Sequence, residues 1–79
     1  MFIVMQDKEL LNSEHVVKFK IIKGSNTRPF KLIAMLKEYK GVCIYEGTEE
    51  NVNIAMDNLI EALVSKATVI DYSNNKEVS

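Results

Sequence analysis

Residues Thr48–Leu63 read TEENVNIAMDNLIEAL, and this stretch decides the fold. Val52, Ala55, Met56, Leu59, Ile60 and Leu63 recur at spacings of three and four, which places them on one stripe of a helix. Thr48 can accept free N–H groups of the first turn, and Gly47 lets the chain bend into it. Glu49 and Glu50 sit where the helix dipole favours negative charge. Ile54 falls off the stripe among Asn51, Asn58 and Glu61 and reads as a surface residue. A helix with one apolar stripe must bury it against another layer, and the residues before it supply a sheet.

Met1–Met5 reads as a first strand, followed by a polar turn at Gln6-Asp7-Lys8 and the segment Glu9-Leu10-Leu11. After a second turn at Asn12-Ser13-Glu14, Val17, Phe19 and Ile21 alternate with Lys18 and Lys20, the period of a half-buried strand. The run Lys23–Pro29 holds the only proline and several turn formers, so it reads as an exposed hairpin loop. Phe30–Lys37 and Val42–Tyr45 are the next strands, joined at Glu38-Tyr39-Lys40-Gly41. Connections this short cannot cross over to make parallel pairs. The expected fold is therefore α+β: a small antiparallel meander of about four strands, followed by one C-terminal helix packed on one face. Val69, Ile70 and Tyr72 could add a short last strand. Residues 1–72 then form a single domain and 73–79 a frayed tail.

Strict alternation sorts the strand residues onto two faces. One face collects Val17, Phe19, Ile21, Phe30, Leu32, Ala34, Leu36, Val42 and Ile44, and the helix should pack there. The other collects Val16, Ile22, Ile33, Met35, Cys43 and Tyr45, with Lys18, Lys20, Lys31 and Lys37 around them. An apolar centre rimmed by lysines has the character of a protein contact surface. Ile33, Met35, Tyr45, Val16 and Ile22 are thus the candidate interface, and Lys18, Lys20, Lys31 and Lys37 the candidate contacts for an anion. Isolated apolar residues on a surface need no function, however, and a scattered, solvated face is the plain alternative.

Charge is sorted along the chain in the same sense. Between Lys18 and Lys40 seven basic residues face the single acid Glu38, although the whole chain has a net charge of −1. This basic middle prefers an anionic partner or the chain's own acidic helix. It could touch phosphate, but only Tyr45 is expected among the lysines, whereas a sheet that reads RNA stacks bases on several aromatics. No helix-turn-helix pair is visible.

Other chemistry is poorly supplied. His15 is the only histidine and sits in a polar turn, Cys43 is the only cysteine, and neither has the partners of a nucleophilic or zinc site. Glu46, Glu49 and Glu50 read as charges matched to a helix start. Lys23-Gly24-Ser25 lacks the preceding glycine of a phosphate loop. No catalytic, metal or cofactor-binding residue is expected, and Cys43, in an apolar run, reads as a buried inert thiol. No apolar run approaches the roughly 20 residues of a membrane span, and the opening segment lacks the basic start of a signal peptide, so the expected location is the cytoplasm. At 79 residues the core is thin, and oligomerisation would support it.

Ile3-Val4-Met5-Gln6-Asp7-Lys8 with Asn12 and Val16-Val17, and Tyr45-Glu46-Gly47-Thr48-Glu49-Glu50 before the Ala- and Leu/Ile-rich helix, resemble a group of small proteins of low-G+C Gram-positive bacteria and their phages. The resemblance covers the first strands and the helix. It implies four antiparallel strands followed by a helix and a bacterial or phage origin, and it brings no catalytic residue. The segment from Ala67 onward is longer than in that group. The resulting expectation is a non-enzymatic protein that works by protein contact, with itself or with another protein. The alternative is a nucleic-acid-associated accessory protein using the basic segment 18–40.

Overall fold

The computed structural model describes residues 1–73. Their elements run β1 (Phe2–Val4), β2 (Leu10–Asn12), a 3-10 turn (Ser13–His15), β3 (Val16–Ile22), β4 (Phe30–Leu36), β5 (Gly41–Gly47), α1 (Glu49–Val64) and β6 (Val69–Asp71). The α+β architecture expected from the sequence is present, with the helix on one face and the short last strand formed. The strands divide into two sheets of three. β3, β4 and β5 make the antiparallel meander. β1 sits outside it, antiparallel to β2 and parallel to β6. A parallel neighbour needs a long crossover, and everything from β2 through α1 provides one.

One turn geometry is built twice. At the β1–β2 turn the Met5 N–H donates to Glu9 O (2.7 Å), the Lys8 N–H donates to Met5 O (2.8 Å), and Lys8 takes φ 71°. At the β4–β5 turn the Leu36 N–H donates to Lys40 O (2.8 Å), the Tyr39 N–H donates to Leu36 O (2.9 Å), and Tyr39 takes φ 62°. The β3–β4 loop depends on Gly24. A Cβ there would stand 2.5 Å from the Pro29 carbonyl carbon, so only glycine lets the two backbones approach and the Ser25 N–H reach Arg28 O at 2.9 Å.

The helix starts as its sequence requires, with Thr48 Oγ1 accepting the Asn51 N–H at 3.1 Å. It ends where Lys66 turns to φ 58° and the Ala67 N–H reaches Ala62 O at 2.9 Å, satisfying a carbonyl of the last turn. Val52, Ala55 and Leu59 are buried and Met56 packs beside them. Ile60 and Leu63, expected on the same buried stripe, are 51% and 44% exposed. The last turn of α1 stands away from the short strands, leaving a groove lined by Phe2, Ala62, Leu63 and Thr68.

The core joins both sheets to the helix through Ile3, Leu32, Ile44, Val52, Leu59 and Tyr72, all fully buried. Tyr72 donates its hydroxyl to Ala55 O inside α1 at 2.7 Å and packs its ring 5.6 Å from that of Tyr45. Burial, followed by the proximity of Tyr45, holds the Tyr72 hydroxyl protonated well above the usual tyrosine range. Gln6 ties the sheets at their edge. Its N–H donates to Ile44 O (3.1 Å), its Oε1 accepts the Glu46 N–H (3.1 Å), and its Nε2 donates to Glu46 O (3.3 Å). The edge of β5 is thus met at Ile44 by the backbone of Gln6 and at Glu46 by its side-chain amide, instead of by another strand. The Ser73 N–H and Oγ both donate to Asp71 Oδ1, at 2.8 and 2.6 Å, and Ser73 is buried. The expected tail therefore begins inside the fold; its remaining residues, 74–79, lie outside the described part.

Two stability measurements check this core. Tyr72→Phe should cost about 1 kcal/mol for the lost hydrogen bond. Because folding raises the Tyr72 pKa, its contribution is complete below about pH 10, where unfolded tyrosine ionises, and is lost as the pH rises further. Denaturant melts of the wild type should weaken above that pH, and those of Tyr72→Phe should weaken less. On α1, Leu59→Ala should cost roughly 2–5 kcal/mol, whereas Asn58→Ala, on the exposed side, should change stability by about 0.5 kcal/mol or less. Equal effects would contradict the burial of Leu59.

Candidate contact surface

The outer face of the meander can be read row by row from its register. Lys18, Met35 and Gly41 form one row, Lys20, Ile33 and Cys43 the next, and Ile22, Lys31 and Glu46 the third. Lys18, Lys20 and Lys31 therefore do share a face, as alternation predicts. Lys37 lies beyond β4 in the turn, where its N–H donates to His15 O at 3.1 Å.

Two register shifts move other residues to the opposite side. Between Val16 and Lys18 the pairing slips by one residue, so Val16 packs against the core while Val17 is 59% exposed. A second irregularity, opposite Leu32 and Ile33, lets Ile44 and Tyr45 both enter the core, with Tyr45 only 4% exposed. Each extra residue reverses the inside-outside order of what lies beyond it. Val16 and Tyr45, expected on the outer surface, are accordingly core residues, and Val17, expected inside, lies outside.

Ile33 keeps the expected face but is only 8% exposed. A Cβ at Gly41 would stand 3.3 Å from both Ile33 Cγ2 and Met35 Sδ. The two side chains lean over the bare glycine backbone, and the apolar centre closes on itself. Of the five candidate interface residues, Ile22 alone is clearly exposed, at 44%; Met35 is half-buried. What the outer face offers a partner is mainly its lysines.

Cys43, expected to be buried, is exposed on this face. Partial desolvation and then the Glu46 carboxylate raise its pKa, which favours the protonated thiol over the thiolate. Among the described residues no group of three or more His, Cys, Asp or Glu side chains could hold a metal ion, and no helix is long and apolar enough to cross a membrane.

The open apolar surface lies elsewhere. On the outer side of the first sheet the rows are Asn12, Phe2 and Val69, then Leu10, Val4 and Asp71. Phe2, Leu10 and Val69 are 50%, 67% and 52% exposed. Phe2 also lines the groove at the end of α1 together with Leu63. Sequence reasoning could not find it, because Met1–Met5 is apolar throughout and shows no alternation. A second exposed feature, Tyr39, stands at the tip of the β4–β5 turn and is 90% exposed. Its position in a predicted turn was the available signal.

No family model matches this chain, and neither curated proteins nor solved structures provide a match.

The closing of Ile33 leads to a direct test. Ile33→Asp puts a carboxylate into an almost fully covered site and should cost on the order of 3 kcal/mol or more. Ile22→Asp, two strand positions from the covered centre, should cost about 1 kcal/mol or less. Denaturant melts that ranked the two in the other order would show that the outer face is open at Ile33.

Proposed function

We propose that the chain is a non-enzymatic contact protein that associates with a second copy of itself through the outer face of its first sheet. The observation that carries this reading is the exposure of Phe2, Leu10 and Val69 on neighbouring strands of one small sheet. An apolar face of this kind is costly to leave in water, and a small domain has little core with which to offset it. A net charge of −1 opposes self-association only weakly. A two-fold contact would place the same residues on both partners and would need no second gene product.

This reading keeps the self-association expected from the sequence and moves its surface from Ile33, Met35 and Tyr45 to Phe2, Leu10 and Val69. The bacterial or phage setting, with action in the cytoplasm, belongs to the same proposal and rests on the resemblance carried by residues 3–8 and 45–50. Those two segments meet in the fold through the Gln6 and Glu46 hydrogen bonds.

Light scattering at micromolar protein should give a mass of two chains or more. Leu10→Asp combined with Val69→Asp should shift it to one chain, and Ile22→Asp should leave it unchanged. A wild-type monomer throughout the micromolar range would overturn the proposal.

A further inference from the structure

The β4–β5 turn holds a large aromatic side chain where the backbone disfavours one. Tyr39 has φ 62°, in the region that glycine and asparagine enter most easily, and its side chain is 90% exposed. The unfavourable backbone is therefore not offset by packing. Lys8 and Lys66 adopt the same region, but each gives water a hydrated ammonium group. Tyr39 gives it a ring.

Cations surround that ring in sequence and continue onto the sheet. Lys37 and Lys40 belong to the same turn, and Lys18, Lys20 and Lys31 stand on the outer face of the meander. Lys18 and Lys20 are successive outward positions of one strand, about 6.6 Å apart, a spacing similar to that of successive phosphates on an extended strand. The opposing charges are Glu38 in the turn and Glu46 beside Lys31. α1 packs on the inner side, and its solvent side carries Glu50, Asp57 and Glu61, while Glu49 at its start shares a groove with Arg28.

The geometry points to single-stranded nucleic acid as the ligand of this surface, with a base stacked on Tyr39 and the backbone phosphates along the lysines. An exposed ring next to a line of cations matches unpaired bases on an anionic chain. A duplex keeps its base faces stacked and offers the ring nothing. The acidic helix repels the strand from the opposite side and directs it to the lysines. This inference goes beyond self-association and uses a surface that shares no residue with Phe2, Leu10 and Val69.

Fluorescence anisotropy of the full chain with a labelled oligothymidylate of about a dozen nucleotides, and with a duplex of equal length, tests it. The single strand should bind more tightly. The logarithm of its affinity should fall against the logarithm of salt with a slope of about −2 to −3.5, for three to five lysine contacts. Tyr39→Gly should weaken binding on the order of tenfold while raising the denaturant midpoint, because glycine accepts the left-handed backbone. Tyr39→Phe should retain binding, and Lys18→Glu with Lys31→Glu should abolish it in a chain that still melts cooperatively. No binding at low salt, affinity unchanged in Tyr39→Gly, or preference for the duplex would overturn the inference.

Discussion

The hydrogen bond from the Tyr72 hydroxyl to Ala55 O is the contact on which the arrangement of the layers depends. Tyr72 follows directly on β6, whose only described strand partner is β1. Its ring lies against Tyr45 of β5, and its hydroxyl ends on the backbone of α1. One side chain thus connects the first sheet, the meander and the helix. A phenol that is completely buried must find an acceptor or lose much of the benefit of its burial, and the Ala55 carbonyl fixes where the ring can stop. The small Ala55 side chain helps to make room for this approach.

The sequence discloses the parts whose signals are local. Thr48, Glu49 and Glu50 mark the helix start, the alternation around Phe19 marks a strand, and the single proline lies in the loop that joins β3 to β4. It does not disclose the two register irregularities, which insert an extra residue without any change in composition. Alternation read from Phe19 back to Val17, or from Ile44 on to Tyr45, carries the parity across a bulge and assigns the wrong side. The lysine face survived that error because Lys18, Lys20 and Lys31 all lie between the two irregularities. Of the apolar candidates Ile22, Ile33 and Met35 also kept their face, and Val16 and Tyr45 did not, since they lie beyond or at the irregularities. The parallel pairing of β1 with β6 was equally hidden, because it joins residues near opposite ends of the described chain.

Positive and negative charge fall mainly on different sides of the molecule. Lysines occupy the outer face of the meander, carboxylates line the solvent side of α1, and Phe2, Leu10 and Val69 occupy the outer face of the other sheet. The meander achieves its nearly polar exterior by folding Ile33 and Met35 over Gly41. The first sheet has no glycine over which its apolar side chains could close. Its strands are also only three residues long, so one row of side chains has few neighbours on the same face to cover it. The difference between the two sheet exteriors therefore comes from local packing space as well as from the higher apolar share of the first sheet's outer rows.

The parallel pairing of β1 with β6 has a consequence for the order of events during synthesis. Of the described elements the β1–β2 hairpin is made before the others, and a lone hairpin is only marginally stable in water. Ile3 and Leu11, which face the core, have no covering layer until α1 emerges, and β1 has no second neighbour until Ile70 does. The meander has local connections and can form early, whereas the first sheet must wait for nearly the whole described chain. A released chain cut between the end of α1 and Tyr72 would thus keep the helix on the meander and leave Ile3 uncovered on the side where β6 belongs.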